Sequence, residues 1–195
     1  MTRFPRFALA GLAALALSGC LSLGKDPPDS LLNLTPTRQA AAGTGSTGTA
    51  ENALAILELQ APQKLNVTRV PVTTSDSSLA YLKEAEWVEK PARLFGRLLA
   101  DTVRAKGNRL LVGGTDLEFT AASKLSGTLS AMEYDAATGS AIVRFDAVLI
   151  GNDSNVTTRR FEATVPGVTP EAQAVGIALN QAANQVANDV AEWVG

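Results

Sequence analysis

A chain of 195 residues with no histidine and one cysteine has little equipment for acid–base or covalent catalysis. Imidazole is the side chain that normally titrates near neutrality, so Ser-His-Asp and Cys-His hydrolases are excluded. A single thiol forms neither an intramolecular disulfide nor a zinc site of Cys and His ligands. No Gly-rich loop runs into Lys-Ser or Lys-Thr, so the cradle for nucleotide phosphates is missing as well. Carboxylates remain: Glu84, Glu86 and Glu89 around Trp87, and Asp116 with Glu118. On an extended strand Glu84 and Glu86 would share a face, as the paired acids of a glycosidase do. Such pairs are also common on solvated strands, and with 5% aromatic residues there are few platforms for a sugar ring. The expectation is a protein that is not an enzyme and needs no cofactor or metal.

The one residue placed for chemistry is Cys20. Before it stand Arg3 and Arg6, an apolar run from Phe7 to Leu17, and small residues at the end, the three parts of an export signal. The run is shorter than the ~20 apolar residues that cross a bilayer. Leu17-Ser18-Gly19-Cys20 resembles the bacterial lipobox, in which small residues admit a peptidase to the bond before an acylated cysteine. Residues 1–19 are therefore expected to be a cleaved lipoprotein signal peptide, and Cys20 the site of lipidation by diacylglycerol and palmitate. Several acyl chains, each worth ~0.8 kcal/mol per buried methylene, hold a protein essentially permanently at a membrane. Leu21 follows, where an Asp would resemble an inner-membrane retention signal, so the expected location is the outer membrane, facing the periplasm. Losing the signal removes two arginines and no acids from a chain of formal charge −2. Nothing in so acidic a protein provides the clustered cations that bind nucleic acid. Asn33, Asn66, Asn152 and Asn155 begin Asn-x-Ser/Thr triplets, which carry little meaning in a bacterial lipoprotein.

Residues 20–52 are rich in Pro, Ser, Thr, Gly and Ala and read as a lipidated N-terminus with a flexible tether. Thirty or so such residues span ~30 Å on average and ~100 Å when pulled straight. Leu31-Leu32-Asn33-Leu34 interrupts the polarity, either as a docking segment or as a chance cluster.

Residues 53–195, about 140 in number, suit one domain. The expected class is α/β: a mixed, mostly antiparallel sheet covered by two main helices in a layered α/β sandwich. Strands are predicted over Ala53 to Gln60, around Arg69 to Val72, over Leu79 to Val88 and over Arg109 to Val112. Pro71 would suit an edge or a strand end. A meander follows over Leu125 to Tyr134, Ser140 to Ile150 and Val156 to Val165, with Val143, Phe145, Ala147 and Leu149 alternating against Arg144 and Asp146. Pro91 opens a helix carrying Leu94, Phe95, Leu98, Leu99 and Val103, ended by Gly107. Its other face bears Arg93, Arg97, Arg104 and Lys106, a solvated face or a contact for acidic partners and lipid headgroups. The last helix is predicted to be capped by Thr169, with an apolar stripe of Val175, Leu179, Ala182, Val186, Val190 and Val194. Its polar side would hold Asn180, Gln181, Asn184, Gln185 and Asn188.

Ser30-Leu31-Leu32-Asn33-Leu34-Thr35-Pro36, Arg69-Val70-Pro71, Ala80-Tyr81-Leu82 and Glu86-Trp87-Val88-Glu89-Lys90-Pro91 with the Leu-rich helix stand in an order that is similar to one known family. These features resemble the auxiliary lipoproteins of ABC-type transport systems that accompany MCE-domain lipid carriers. The resemblance implies an α/β domain without enzymatic activity, helping to move phospholipid or another hydrophobic substrate across the periplasm. The MCE-domain protein and the ABC permease and ATPase would be other chains. The sequence departs from the family between Val72 and Ala80 and in its Gly/Thr tether. Tyr81, Trp87, Arg93 and Arg97 are the candidate partner or lipid contacts, although for Tyr81 and Trp87 packing that seats the first helix on the sheet is the preferred reading. A stand-alone outer-membrane lipoprotein that scaffolds the envelope or binds a cell-wall ligand is the alternative function, and a shuttle carrying lipid in its own cavity a third. Exposed sheet edges would also allow a homo-oligomer.

Overall fold

The computed structural model describes residues 30–113 and 121–195, so Met1–Gly19, Cys20, Asp116 and Glu118 lie outside the described residues. In chain order the elements are β1 (Ala53–Ile56), β2 (Arg69–Ser75), β3 (Ser78–Glu86), α1 (Pro91–Lys106), β4 (Leu110–Val112), β5 (Ser123–Asp135), β6 (Ser140–Ile150), β7 (Val156–Val165) and α2 (Ala172–Trp193). All seven strands form one mixed sheet. Its longest ladders, β5 with β6 and β6 with β7, are antiparallel, as is β2 with β3, whereas β1 pairs in parallel with both β4 and β5.

β5 organises the sheet because both of its edges are occupied. One edge pairs with β6 from Lys124 to Asp135. The other is shared end to end: β1 pairs beside Ser123 to Leu125, Gln60 bridges to Thr128, and β2 takes Tyr134 and Asp135. β3 and β4 then flank β2 and β1 on the outside. Pro71, expected at an edge or a strand end, instead lies within an interior strand. It is tolerated because the β2–β3 register shifts between Arg69 and Pro71, and the β5 pairing begins only at Val72.

Both helices contribute to one core with the inner faces of β5 and β6. α1 starts on Pro91, whose missing N–H costs nothing in a first turn, and ends where Gly107 adopts φ 71° with its N–H on the Val103 carbonyl. The predicted Leu94, Phe95, Leu98, Leu99 and Val103 are all buried. The Phe95 and Phe145 rings meet at 5.2 Å between centroids, joining α1 to β6. Space for Phe145 comes from Gly127 on β5, where a Cβ would stand 2.7 Å from Phe145 Cζ and 2.3 Å from the Asp146 carbonyl oxygen. α2 buries its whole predicted stripe. It begins at Ala172 with Glu171 as its cap residue, two residues after the expected cap Thr169. Val168 donates its N–H to the Gly139 carbonyl, and Glu171 N–H turns back onto the Thr169 carbonyl at 2.8 Å, which holds Thr169 and Pro170 outside the helix. At the other end, Arg109 Nη1 donates to the Val194 carbonyl at 3.0 Å, a cation at the negative end of the helix. No helix among the described residues is long and apolar enough to cross a membrane.

The sheet face away from the helices carries opposed charges. Arg144 pairs with Glu162 and Asp146 with Arg160, each pair directly opposite in the β6–β7 register. The Arg160 guanidinium hydrogen-bonded to Asp146 holds its carboxyl below the ordinary value of 3.8. A lowered folded pKa means that the stabilisation is complete above the ordinary value and is lost as pH falls through the folded one.

The folded unit begins earlier than residue 53. Leu32 donates its N–H to the Glu86 carbonyl at 2.7 Å and accepts from Val88 N–H at 2.9 Å, forming a bridge beside Trp87. The chain then passes along α2. Asn180 Oδ1 accepts from Thr35 N–H at 2.9 Å, and Asn184 accepts from Thr37 N–H at 2.8 Å while donating to the Thr35 carbonyl at 2.9 Å. Leu34 is buried, and so is Asn184 at 4% exposure, rather than lying on a solvated face. Gly176 makes room for Leu32, since a Cβ there would stand 2.5 Å from Leu32 Cδ2. Composition places all of 20–52 in a tether because it does not register a segment whose backbone partners are amide side chains 145 or more residues away.

Two outcomes are expected. Gly176→Ala removes a helical glycine, a gain of ~1 kcal/mol in an unstrained helix, yet it displaces Leu32. Amide exchange at Leu32, Thr35 and Thr37 should therefore accelerate while the amides of β5 keep their protection; unchanged exchange at Leu32 would contradict the packing described. In Arg160→Met the Asp146 carboxyl should titrate higher, toward 3.8, in an NMR pH series, because its strongest hydrogen bond is gone.

Candidate docking groove

The structure separates the four residues expected to make contacts. Trp87 is 1% exposed and belongs to the core, its backbone N–H on the Thr68 carbonyl and its indole Nε1 buried without a hydrogen-bond partner among the described residues. Its ring is therefore inaccessible to a partner in this conformation. Tyr81 is half-buried beneath the Arg69 guanidinium, which lies 4.3 Å from the ring centroid. Arg93 and Arg97 stand on the exposed side of α1, both reaching Glu89, at 3.9 and 2.7 Å.

The other two cations of the helix are also paired. Arg104 bridges Asp101 at 2.8 Å, and Lys106 reaches Glu192 on α2 at 3.0 Å. The four cations share three carboxylates, Arg93 and Arg97 using the same one, so most of their charge is offset locally instead of forming one positive field. Pairs this exposed contribute little to stability, at most ~1 kcal/mol each, but they fix where each head group sits.

Arg93 and Arg97 form part of the lining of a groove of about 450 Å³ between α1 and the chain leaving β1. On the helix side, Ala92, Gly96 and Ala100 recur every fourth residue, one row of small side chains beside the row of arginines. Ile56, Leu57 and Leu59 line the opposite side, with Glu58 exposed there. The groove exists because β1 stops at Ile56: its chain continues beside β5 through Leu57 N–H on the Leu125 carbonyl and Gln60 N–H on the Gly127 carbonyl. The arrangement offers apolar contact with cations of fixed position at its margin, which suits binding and supplies no nucleophile or proton-transfer pair. The spacing of Ala92, Gly96 and Ala100 was visible in the sequence, but what lay opposite it was not.

Glu84 and Glu86, weighed as paired acids, each engage a different neighbour. Glu84 has φ 59°, an unusual conformation for a non-glycine residue that breaks the alternation of β3, and it pairs with Lys83. Glu86 accepts from the Thr68 hydroxyl at 2.7 Å. No group of three metal-ligating side chains occurs among the described residues.

Among solved structures, the chain is similar to protein XCC0632 from Xanthomonas campestris, at 18% identity and a TM-score of 0.66, covering 84% of this chain and 94% of that one. A second similar structure, of an uncharacterized protein, has 14% identity and a TM-score of 0.63, covering 77% of this chain and 97% of that one. At these identities the likeness speaks for the fold alone. No curated protein matches the sequence. The family model described as "ABC-type transport auxiliary lipoprotein component" matches residues 32–191, from the bridge that Leu32 makes with Trp87 almost to the end of α2. The chain belongs to the family of ABC-type transport auxiliary lipoprotein components.

Proposed function

We propose that this protein is the lipid-anchored, non-catalytic auxiliary subunit of an MCE-type transport system that moves phospholipid or another hydrophobic substrate across the periplasm. The observation that carries the reading is the family match over residues 32–191, which begins only twelve residues after Cys20. Acylation of Cys20 supplies the anchor, at the outer membrane by the residue that follows it, and the folded domain supplies the contacts. The MCE-domain protein and the ABC permease and ATPase supply the conduit and the energy.

The docked N-terminal segment alters the geometry of this anchoring. With Leu32 bound to the Glu86 and Val88 backbone, Cys20 is separated from the folded domain by at most twelve peptide steps. At ~3.4 Å per residue its fully extended reach is ~40 Å, well short of the ~100 Å available to a tether running to residue 52. A domain held this close presents a constant surface to its partners, with the groove beside α1 as the contact site. An apolar partner segment is the complement of its lining, with a carboxylate placed beside Arg93 and Arg97, which share Glu89, as its polar contact.

Three measurements test the reading. Intact mass of protein from its native host should show an N-terminus at Cys20 carrying acyl chains. The protein should co-purify with an MCE-domain and ABC complex, with Cys20→Ala losing the association in cells and retaining it among detergent-solubilised components. Arg93→Glu with Arg97→Glu should weaken that association about tenfold without changing acylation. An unmodified, soluble product would remove the anchor, and no association under either condition would remove the transport role.

A further inference from the structure

The sheet has three outer strands, and they differ in how they are protected. β4 is three residues long. β3 is irregular, with register shifts on both sides of its central pairs and Glu84 at φ 59°. β7 is different: it pairs with β6 over ten consecutive residues without a shift and contains no proline. No described residue hydrogen-bonds to its outer edge. A long, regular, uncovered edge is a template for another strand.

We propose that the edge of β7 pairs with β7 of a second copy of this chain, antiparallel about a two-fold axis through Phe161. The register follows from charge. A two-fold axis perpendicular to the sheet keeps each face on its own side, so even-numbered residues of β7 oppose even-numbered ones, and odd oppose odd. Centring on Arg160 sets Arg160 against itself, and centring on Glu162 sets two carboxylates together. Centring on Phe161 sets Arg160 opposite the second copy's Glu162, and does so twice by symmetry. The rows then continue across four strands with alternating sign: Arg144, Glu162, then the second copy's Arg160 and Asp146. Thr158 falls opposite Thr164, and Thr157 opposite Val165. A single such contact closes on itself, giving a dimer whose two seven-stranded sheets become one continuous sheet.

Sedimentation velocity of the full-length protein in detergent should give a dimer for wild type and monomers for Arg160→Glu and for Glu162→Arg alone. Mixing these two variants should restore a dimer, because the glutamates at 160 and 162 of one strand then face the arginines at 162 and 160 of the other. A monomeric wild type, an assembly unaffected by either substitution, or a native-host preparation in which β7 is cross-linked to a different protein would each overturn the proposal. Should a variant lose its far-UV circular dichroism, the register can be read in the native background. Thr158→Cys with Thr164→Cys lie six residues apart on one strand, ~20 Å, too far to join within a chain. They should cross-link between chains with a short bis-maleimide while neither single variant does. Absence of that cross-link, or equal cross-linking of the single variants, would equally refute the pairing.

Discussion

The backbone pairing of β5 is the constraint from which the remaining architecture follows. A thirteen-residue strand exposes more hydrogen-bonding groups than one short neighbour can satisfy, and buried amides left unpaired would be costly. β6 matches it along one edge, but the other edge is satisfied piecemeal by β1, Gln60 and β2. That division sends the chain on a short excursion between β1 and β2, and the excursion leaves one side of the groove beside α1 open. The same strand carries Gly127, whose missing side chain admits the Phe145 ring, and through it the contact with Phe95 on α1. Sheet pairing, helix seating and groove position are thus linked mechanically.

Polar side chains in this protein do structural work that their composition conceals. Asn180 and Asn184 stand on a helix whose apolar stripe is already committed to the core, and their amides act as surrogate backbone for Thr35 and Thr37. An amide side chain can both donate and accept, so Asn184 satisfies a carbonyl and an N–H of the same passing segment. This reciprocity, with Leu34 buried alongside, offsets the entropy lost in ordering the segment. The result is an N-terminal stretch that belongs to the domain from Leu32 onward, which accords with where the family match begins.

Charge is offset over short distances. Every cation of α1 has a carboxylate within reach, and the outer sheet face carries its own opposed pairs. Such a surface exerts no long-range pull on polyanions. Its specificity lies in the short-range order of sign, which works only once two surfaces are in register.

By itself the sequence determined whatever depends on local periodicity and stop signals. Pro91, Gly107 and the leucine spacing define α1; the valine and alanine stripe defines the body of α2; alternation with two polar turns defines the meander from β5 to β7. Each is a relation between residues a few positions apart, so the pattern is sufficient. Tertiary structure decided what depends on distant partners. It took Trp87 into the core, gave Glu84 and Glu86 separate partners, placed Pro71 inside the sheet, and turned part of an apparent tether into a docked segment. It also decided which side chains line the groove, because Ala92, Gly96 and Ala100 acquire meaning only when Ile56 and Leu57 arrive opposite them. The physical reason is the same in every case: a single residue's hydrogen bonds and contact surface do not specify which remote group will meet them until the whole chain is packed.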